Sequence, residues 1–288
     1  MRIKQTSIAL TVAAIAVGLA GCAAPAAAPV ELDDLETPAA VVTVTAIGAL
    51  GDSISLGVNA CAEPGRCLAS SWASGDDPAV ASVALRVGQV SGEFPEVVNA
   101  AKDGGTVADA VARVDEVIAA QPELVVMLLG GNDACDASLD GMTSVENYRT
   151  SYSALLTQLR TGIPDVRILA MSVPDLGRLW EIGHVNSAAV DVWDQSPSCG
   201  NLLGDAAATD AAAVERRDAV LQRIEEYNAV IQELCTIDAG CISDGGALHE
   251  YQFEPEEISS IDYFHPSVVG EAVIAEIAWT ALEKANAQ

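Results

Sequence analysis

The six residues from Leu124 to Leu129 are all apolar. Strand side chains alternate between two faces. An unbroken apolar run of this length therefore suits a sheet covered on both sides, which means parallel strands joined by helices. The flanking segments keep that alternation. Val41 to Leu50, Glu96 to Asn99, Val166 to Ser172 and Gly240 to Ser243 read as further strands. Between them, Val80, Val83, Val87 and Val90, and then Val107, Val111, Val114 and Ile118, recur at helical spacing. Thr143 and Glu146 read as a capping box. It opens a helix that turns Tyr148, Tyr152, Leu155 and Leu159 inward and that Gly162 and Pro164 end. Val173 to Leu203 reads as a long irregular region. Val220, Ile224, Tyr227, Ile231 and Leu234 mark a long helix. Val269, Val273, Ile277 and Ala281 mark the last one, entered through His265-Pro266 with proline at its first position.

This order predicts an α/β fold: a three-layer α/β/α sandwich around a mostly parallel, flavodoxin-like sheet of about five strands. The 288 residues, half of them hydrophobic, are enough for a large core. Acidic side chains outnumber basic ones 41 to 14, for a formal charge of -27. Such a surface repels polyanions, so nucleic acid is set aside as a partner.

The N-terminus reads as a targeting signal over residues 1–21. Arg2 and Lys4 precede an apolar stretch, Ile8 to Ala20, that is too short to span a bilayer. It ends in Leu19-Ala20-Gly21-Cys22, which resembles a bacterial lipobox. Cleavage before Cys22 and lipid on its thiol would anchor the chain to a membrane's outer face through that lipid alone. Residues 22–40, Ala/Pro-rich and then acidic, read as a tether to a folded domain over 41–288. Six cysteines remain, an even number that suits three disulfides in an exported protein. Cys61–Cys67 and Cys235–Cys241 each close a short loop, which leaves Cys135–Cys199. The alternative, a metal site, finds no C-x-x-C pair and no histidine at ligand spacing.

The polar loops after the strands carry the chemistry. Gly51-Asp52-Ser53 follows the first strand. A serine at the carboxyl end of a parallel strand faces the ligand crevice and becomes a nucleophile if a base reaches it. Asn99 to Thr106 follows the second and offers Gly104 or Gly105 as a backbone donor. Gly130-Gly131-Asn132-Asp133 follows the third and offers the Asn132 amide. Asp262 and His265, three residues apart, suit a carboxylate that holds an imidazole through Nδ1 and leaves Nε2 as a base. His184 and His249 lie in irregular stretches, without an Asp or Glu three residues away on a clear turn, and read as packing or surface residues. Trp72, Trp180 and Trp193 read first as packing and second as walls of a pocket.

These four blocks, in this order, resemble the SGNH (GDSL) hydrolase superfamily, and Ser71-Trp72, Pro174-Asp175-Leu176 and Leu179-Trp180 resemble a secreted subset of it. The resemblance runs from about Val41 to the C-terminus. It implies a serine esterase or lipase with a catalytic Ser53, His265 and Asp262. It further implies an oxyanion hole of Ser53, Gly104 and Asn132, with Gly105 a competitor for the glycine's part. It implies no metal or organic cofactor. The substrate is then a small-molecule or lipid ester, and the enzyme an extracytoplasmic monomer, membrane-anchored or secreted. An esterase removing O-acyl groups from glycans is the alternative, as is a non-catalytic binding lipoprotein on the same fold.

Overall fold

The structure is a computed structural model and describes residues 44–196 and 198–287. The expected signal, Cys22 and the tether lie outside the described residues. In chain order the elements are β1 (Ala46–Gly51), α1 (Val83–Ser91), β2 (Glu96–Asn99), α2 (Val107–Ala120) and β3 (Leu124–Leu128). Then come α3 (Gly131–Ala134), α4 (Val145–Gly162), β4 (Arg167–Ala170), α5 (Leu176–Gly183), α6 (Ser187–Trp193) and α7 (Gly200–Leu203). The chain closes with α8 (Ala211–Ile237), β5 (Cys241–Ser243), α9 (Ala247–Glu250) and α10 (Val268–Asn286).

The five strands form one parallel sheet in the order β2-β1-β3-β4-β5. Alternate residues of β3 and its last neighbour serve two cores. Val125, Met127 and Leu129 enter the core under α2, α4 and α8. Leu124, Val126 and Leu128 enter the one under α1 and α10. Ile168 and Ala170 repeat the first direction and Leu169 and Met171 the second. This is why the run is apolar throughout. Each of its large side chains contributes roughly 1.5–3 kcal/mol over its exposed state.

The strand order also fixes where a ligand can sit. From β1 the chain steps to β2 on one side, then crosses back to β3 on the other. The carboxyl ends of β1 and β3 therefore flank a topological switch point, where open parallel sheets leave a crevice.

Four details differ from the sequence reading. The cap of α4 is Ser144, whose side chain accepts from Asn147 N, and not Thr143. Thr143 is strapped elsewhere: its N–H donates to the Asp133 carbonyl, and its own carbonyl accepts from Tyr227 Oη and Arg223 Nη1. The region Val173 to Leu203 is largely helical, holding α5, α6 and α7 in short pieces whose periods are too brief to register as a pattern. The buried face of α10 is Gly270, Glu271, Ile274, Ala275, Ala278, Ala281 and Leu282, while Val269 is exposed. A Cβ on Gly270 would lie 2.1 Å from the Glu257 carbonyl oxygen, so close docking selects small residues over the branched ones. Finally, α10 is capped by Ser267, which leaves Pro266 just outside the helix.

Disulfides join Cys61 to Cys67, Cys135 to Cys199 and Cys235 to Cys241. Among the described residues, no helix is long and apolar enough to cross a membrane.

Candidate active site

β1 delivers its chain into a turn with no room for a side chain at its corner. A Cβ on Gly51 would lie 2.1 Å from Ser55 Oγ. Ser53 follows and opens a single 3-10 turn, Ile54–Leu56. The turn is anchored from behind. Ser55 O accepts from Ser71 Oγ at 2.8 Å and Asn99 Nδ2 at 2.7 Å, and Trp72 Nε1 donates to Ser55 Oγ at 3.3 Å. Trp72 N donates in turn to Glu271 Oε2 at 2.8 Å, which couples α10 to the turn.

The loop before α10 is closed by its own backbone. Ser259 N donates to His265 O and Tyr263 N to Ser259 O, at 2.8 and 2.9 Å. Asp262 Oδ1 accepts the N–H groups of Phe264 and His265 at 3.0 and 3.1 Å, which fixes the carboxylate. Its Oδ2 lies 2.5 Å from His265 Nδ1 and accepts from Asn59 Nδ2 at 2.6 Å. Burial alone would raise the Asp262 carboxyl. The hydrogen bond and charge of His265, with the Asn59 bond, outweigh it and hold the group below the ordinary carboxylate range. A carboxylate facing Nδ1 keeps the proton there, so Nε2 is the free acceptor. Nε2 lies 2.7 Å from Ser53 Oγ. Ser53, His265 and Asp262 thus form one continuous relay, the geometry a serine nucleophile, its base and an orienting acid require.

The second and third loops converge on the same point. Gly104 has φ +66°, a conformation that favours glycine. Among the described residues its N–H donates to no other group, whereas Gly105 N donates to Lys102 O at 2.8 Å. Gly104 faces the cleft. Asn132, on α3, points its Nδ2 between Asp52 Oδ2 at 3.3 Å and Gly105 O at 3.1 Å. Tyr227 helps hold the stretch after Asn132 in place: it stacks on Tyr148 at 4.0 Å, and its hydroxyl, which donates to the Thr143 carbonyl, lies 3.1 Å from the Asp133 carbonyl. Asp133 Oδ2 accepts from Val107 N, the first residue of α2, at 2.9 Å. Burial pushes both Asp52 and Asp133 up to about 6.

Ser53, Gly104, Asn132, Asp262 and His265 all border one cleft of about 440 Å³. Cys135 and Cys199 border it too, so their disulfide ties the α6–α7 wall to the end of α3. Trp193 lines the cleft while donating Nε1–H to Tyr263 O at 3.2 Å. Trp72 is fully buried, and Trp180 is sandwiched between His184 at 4.1 Å and Arg217 at 4.2 Å, so both are packing residues. His184 and His249 sit apart from the cleft lining. The sequence reading missed Asn59, which belongs to no motif. It also missed the part of Asp52 as the acceptor that positions Asn132.

Comparison with known proteins gives the family and the fold. Residues 49–273 match the model of the GDSL-like Lipase/Acylhydrolase family. No curated protein sequence matches the chain. Solved structures with a similar fold include the lipase/acylhydrolase from Enterococcus faecalis, at 21% identity and a TM-score of 0.50, covering 83% of this chain and 94% of that one. A variant of an acetyl xylan esterase from Geobacillus stearothermophilus gives 20% identity and a TM-score of 0.51 over the same shares. An alpha/beta hydrolase enzyme from the metagenome of Lake Arreo, Spain, gives 18% and 0.52, over 83% of this chain and 95% of that one. A family match over most of the chain goes beyond likeness of fold: the chain belongs to the GDSL-like lipase/acylhydrolase family and is an SGNH-type serine ester hydrolase.

Proposed function

We propose that this protein is a lipid-anchored, extracytoplasmic carboxylic ester hydrolase that works through Ser53, His265 and Asp262 and a covalent acyl-enzyme. The observation that carries the proposal is the relay from Asp262 Oδ2 through both ring nitrogens of His265 to Ser53 Oγ, with steps of 2.5 and 2.7 Å. His265 Nε2 takes the Ser53 proton as Oγ attacks the ester carbonyl carbon. The oxyanion is held by the N–H groups of Ser53 and Gly104 and by the Asn132 amide. Gly104 borders the cleft and Gly105 does not, which supports Gly104 for that part. The protonated His265 then gives its proton to the departing alkoxide. Water, deprotonated by the same nitrogen, attacks the acyl carbon and frees Ser53. No metal or organic cofactor enters the scheme, and one chain supplies every group, which supports a monomer.

In this reading residues 1–21 are removed, Cys22 carries the lipid, and residues 22–40 let the 41–288 domain reach substrate from the membrane face. The lipobox-like Leu19-Ala20-Gly21-Cys22 supports the anchor, and three disulfides suit an oxidising compartment. Removal of O-acyl groups from a glycan is the second reading. It is favoured by polar residues on the cleft's border, which include Asp103, Asp136, Ser196 and Ser198.

The test is fluorophosphonate labelling with peptide mapping, beside turnover of short p-nitrophenyl esters, with Ser53→Ala as control. Label on Ser53 and turnover lost in the variant are the expected results. Folded protein with neither label nor turnover would leave a binding lipoprotein in its place.

A further inference from the structure

The catalytic cleft is not the only space that reaches Ser53. A small, mostly apolar cavity of about 30 Å³ lies against Asp52, Ser53, Gly131 and Asn132 and is otherwise walled by Ile54, Leu128, Pro174, Leu176 and Phe264. His265 and Gly104 border the large cleft and not this cavity. That difference assigns the two halves of an ester. The departing alkoxide must receive its proton from His265 Nε2, so the alcohol lies in the cleft with His265. The acyl substituent points the other way, into the apolar space.

We propose that this cavity is the acyl pocket and that Leu176 sets the length of acyl chain it accepts; the proposal rests on the ester-hydrolase reading above. Beyond the pocket lies a third space of about 40 Å³, bordered by Leu179, Phe253 and Ile258. Ile54, Pro174, Leu176 and Phe264 border both, so these four side chains are the partition between them. At less than a tenth of the cleft's volume, the pocket suits a short acyl group, no longer than butyryl in this proposal. Opening the partition more than doubles the room.

Within the partition, Ile54 directly follows Ser53 and Phe264 directly precedes His265, so changing either disturbs the catalytic loops. Leu176 stands on α5, an element that supplies none of Ser53, Gly104, Asn132, Asp262 or His265. It is half-buried at the start of that helix, which Asp175 caps through Gly177 N at 2.8 Å. Shortening its side chain removes part of the wall and leaves the cap.

The experiment measures kcat/KM of the full-length protein on p-nitrophenyl acetate, butyrate, hexanoate and octanoate. A misfitting methylene is worth roughly ten- to two-hundredfold. Wild-type protein is expected to lose at least about tenfold between butyrate and hexanoate. Leu176→Ala is expected to raise the hexanoate-to-acetate ratio by about tenfold or more, and Leu176→Phe to lower the butyrate-to-acetate ratio. Wild-type octanoate turnover equal to acetate overturns the proposal. So do ratios unchanged in both variants while acetate turnover persists and vanishes in Ser53→Ala, which would leave the ester-hydrolase reading standing. Absence of turnover on every ester overturns both.

Discussion

Asn59 tests how far this site depends on a residue with no motif of its own. Its Nδ2 donates to Asp262 Oδ2, the oxygen that also faces His265 Nδ1. A hydrogen bond to a charged group is worth roughly 1.5–3 kcal/mol. The Asp262 carboxylate is needed most in the transition state, when it must hold an imidazolium. If the whole bond is felt there, its loss lowers kcat roughly 10- to 150-fold. Two variants separate this effect from folding. Asn59 has φ +57°, where alanine costs about 1–2 kcal/mol and glycine adopts the conformation freely. Asn59→Ala and Asn59→Gly both remove the amide, so both should lose the same factor in kcat. Only the alanine variant carries the added backbone strain and should melt lower than the glycine one. The contact also helps depress the Asp262 carboxyl, so its removal should raise the pH at which that carboxyl titrates. The assay is kcat for p-nitrophenyl acetate across pH, beside a thermal melt. Turnover of Asn59→Gly within twofold of wild type would refute the reasoning.

Two further outcomes follow from the neighbouring loops. Burial raises the Asp52 carboxyl from 3.8 to about 6. Below pH ~4 both folded and unfolded chains hold that proton; as pH rises to ~6 only the unfolded chain releases it, so stability falls by about 3 kcal/mol across this window. Denaturant unfolding of Asp52→Asn should lack that slope, and a curve parallel to wild type would count against it. Asn132→Ala should lower kcat by roughly 10²–10³ with little change in KM; unaltered turnover would remove Asn132 from the oxyanion role.

The sheet was legible because β3 and β4 are buried on both faces, so their composition alone reports the architecture. Ser53, Gly104, Asn132, Asp262 and His265 were legible because each stands in a short block beside a strand end or before the last helix, and parallel topology gathers such blocks at one edge. Asn59 was not. It reaches Asp262 across 203 residues of chain, from a left-handed turn that no local pattern marks. The face of α10 was misplaced because close docking favours Gly270 and Ala278 over Val269, and hydrophobic spacing weighs the larger residue. The short helices α5 to α7 are held by the Cys135–Cys199 bond, the Arg217 contact to Trp180 and the Trp193 contact to Tyr263, all of them long-range.

The charge around the cleft has a consequence for traffic rather than for chemistry. Asp103, Asp136 and Asp262 border it, no lysine or arginine does among the described residues, and the whole chain carries -27. Ester cleavage turns a neutral molecule into an anion. A field of this sign is indifferent to an uncharged ester on its way in and repels the carboxylate on its way out. Inhibition by the acid product should therefore be weak in dilute buffer. It should strengthen as salt shortens the screening length below ~10 Å. The acidity of the surface gives the site a direction of flow.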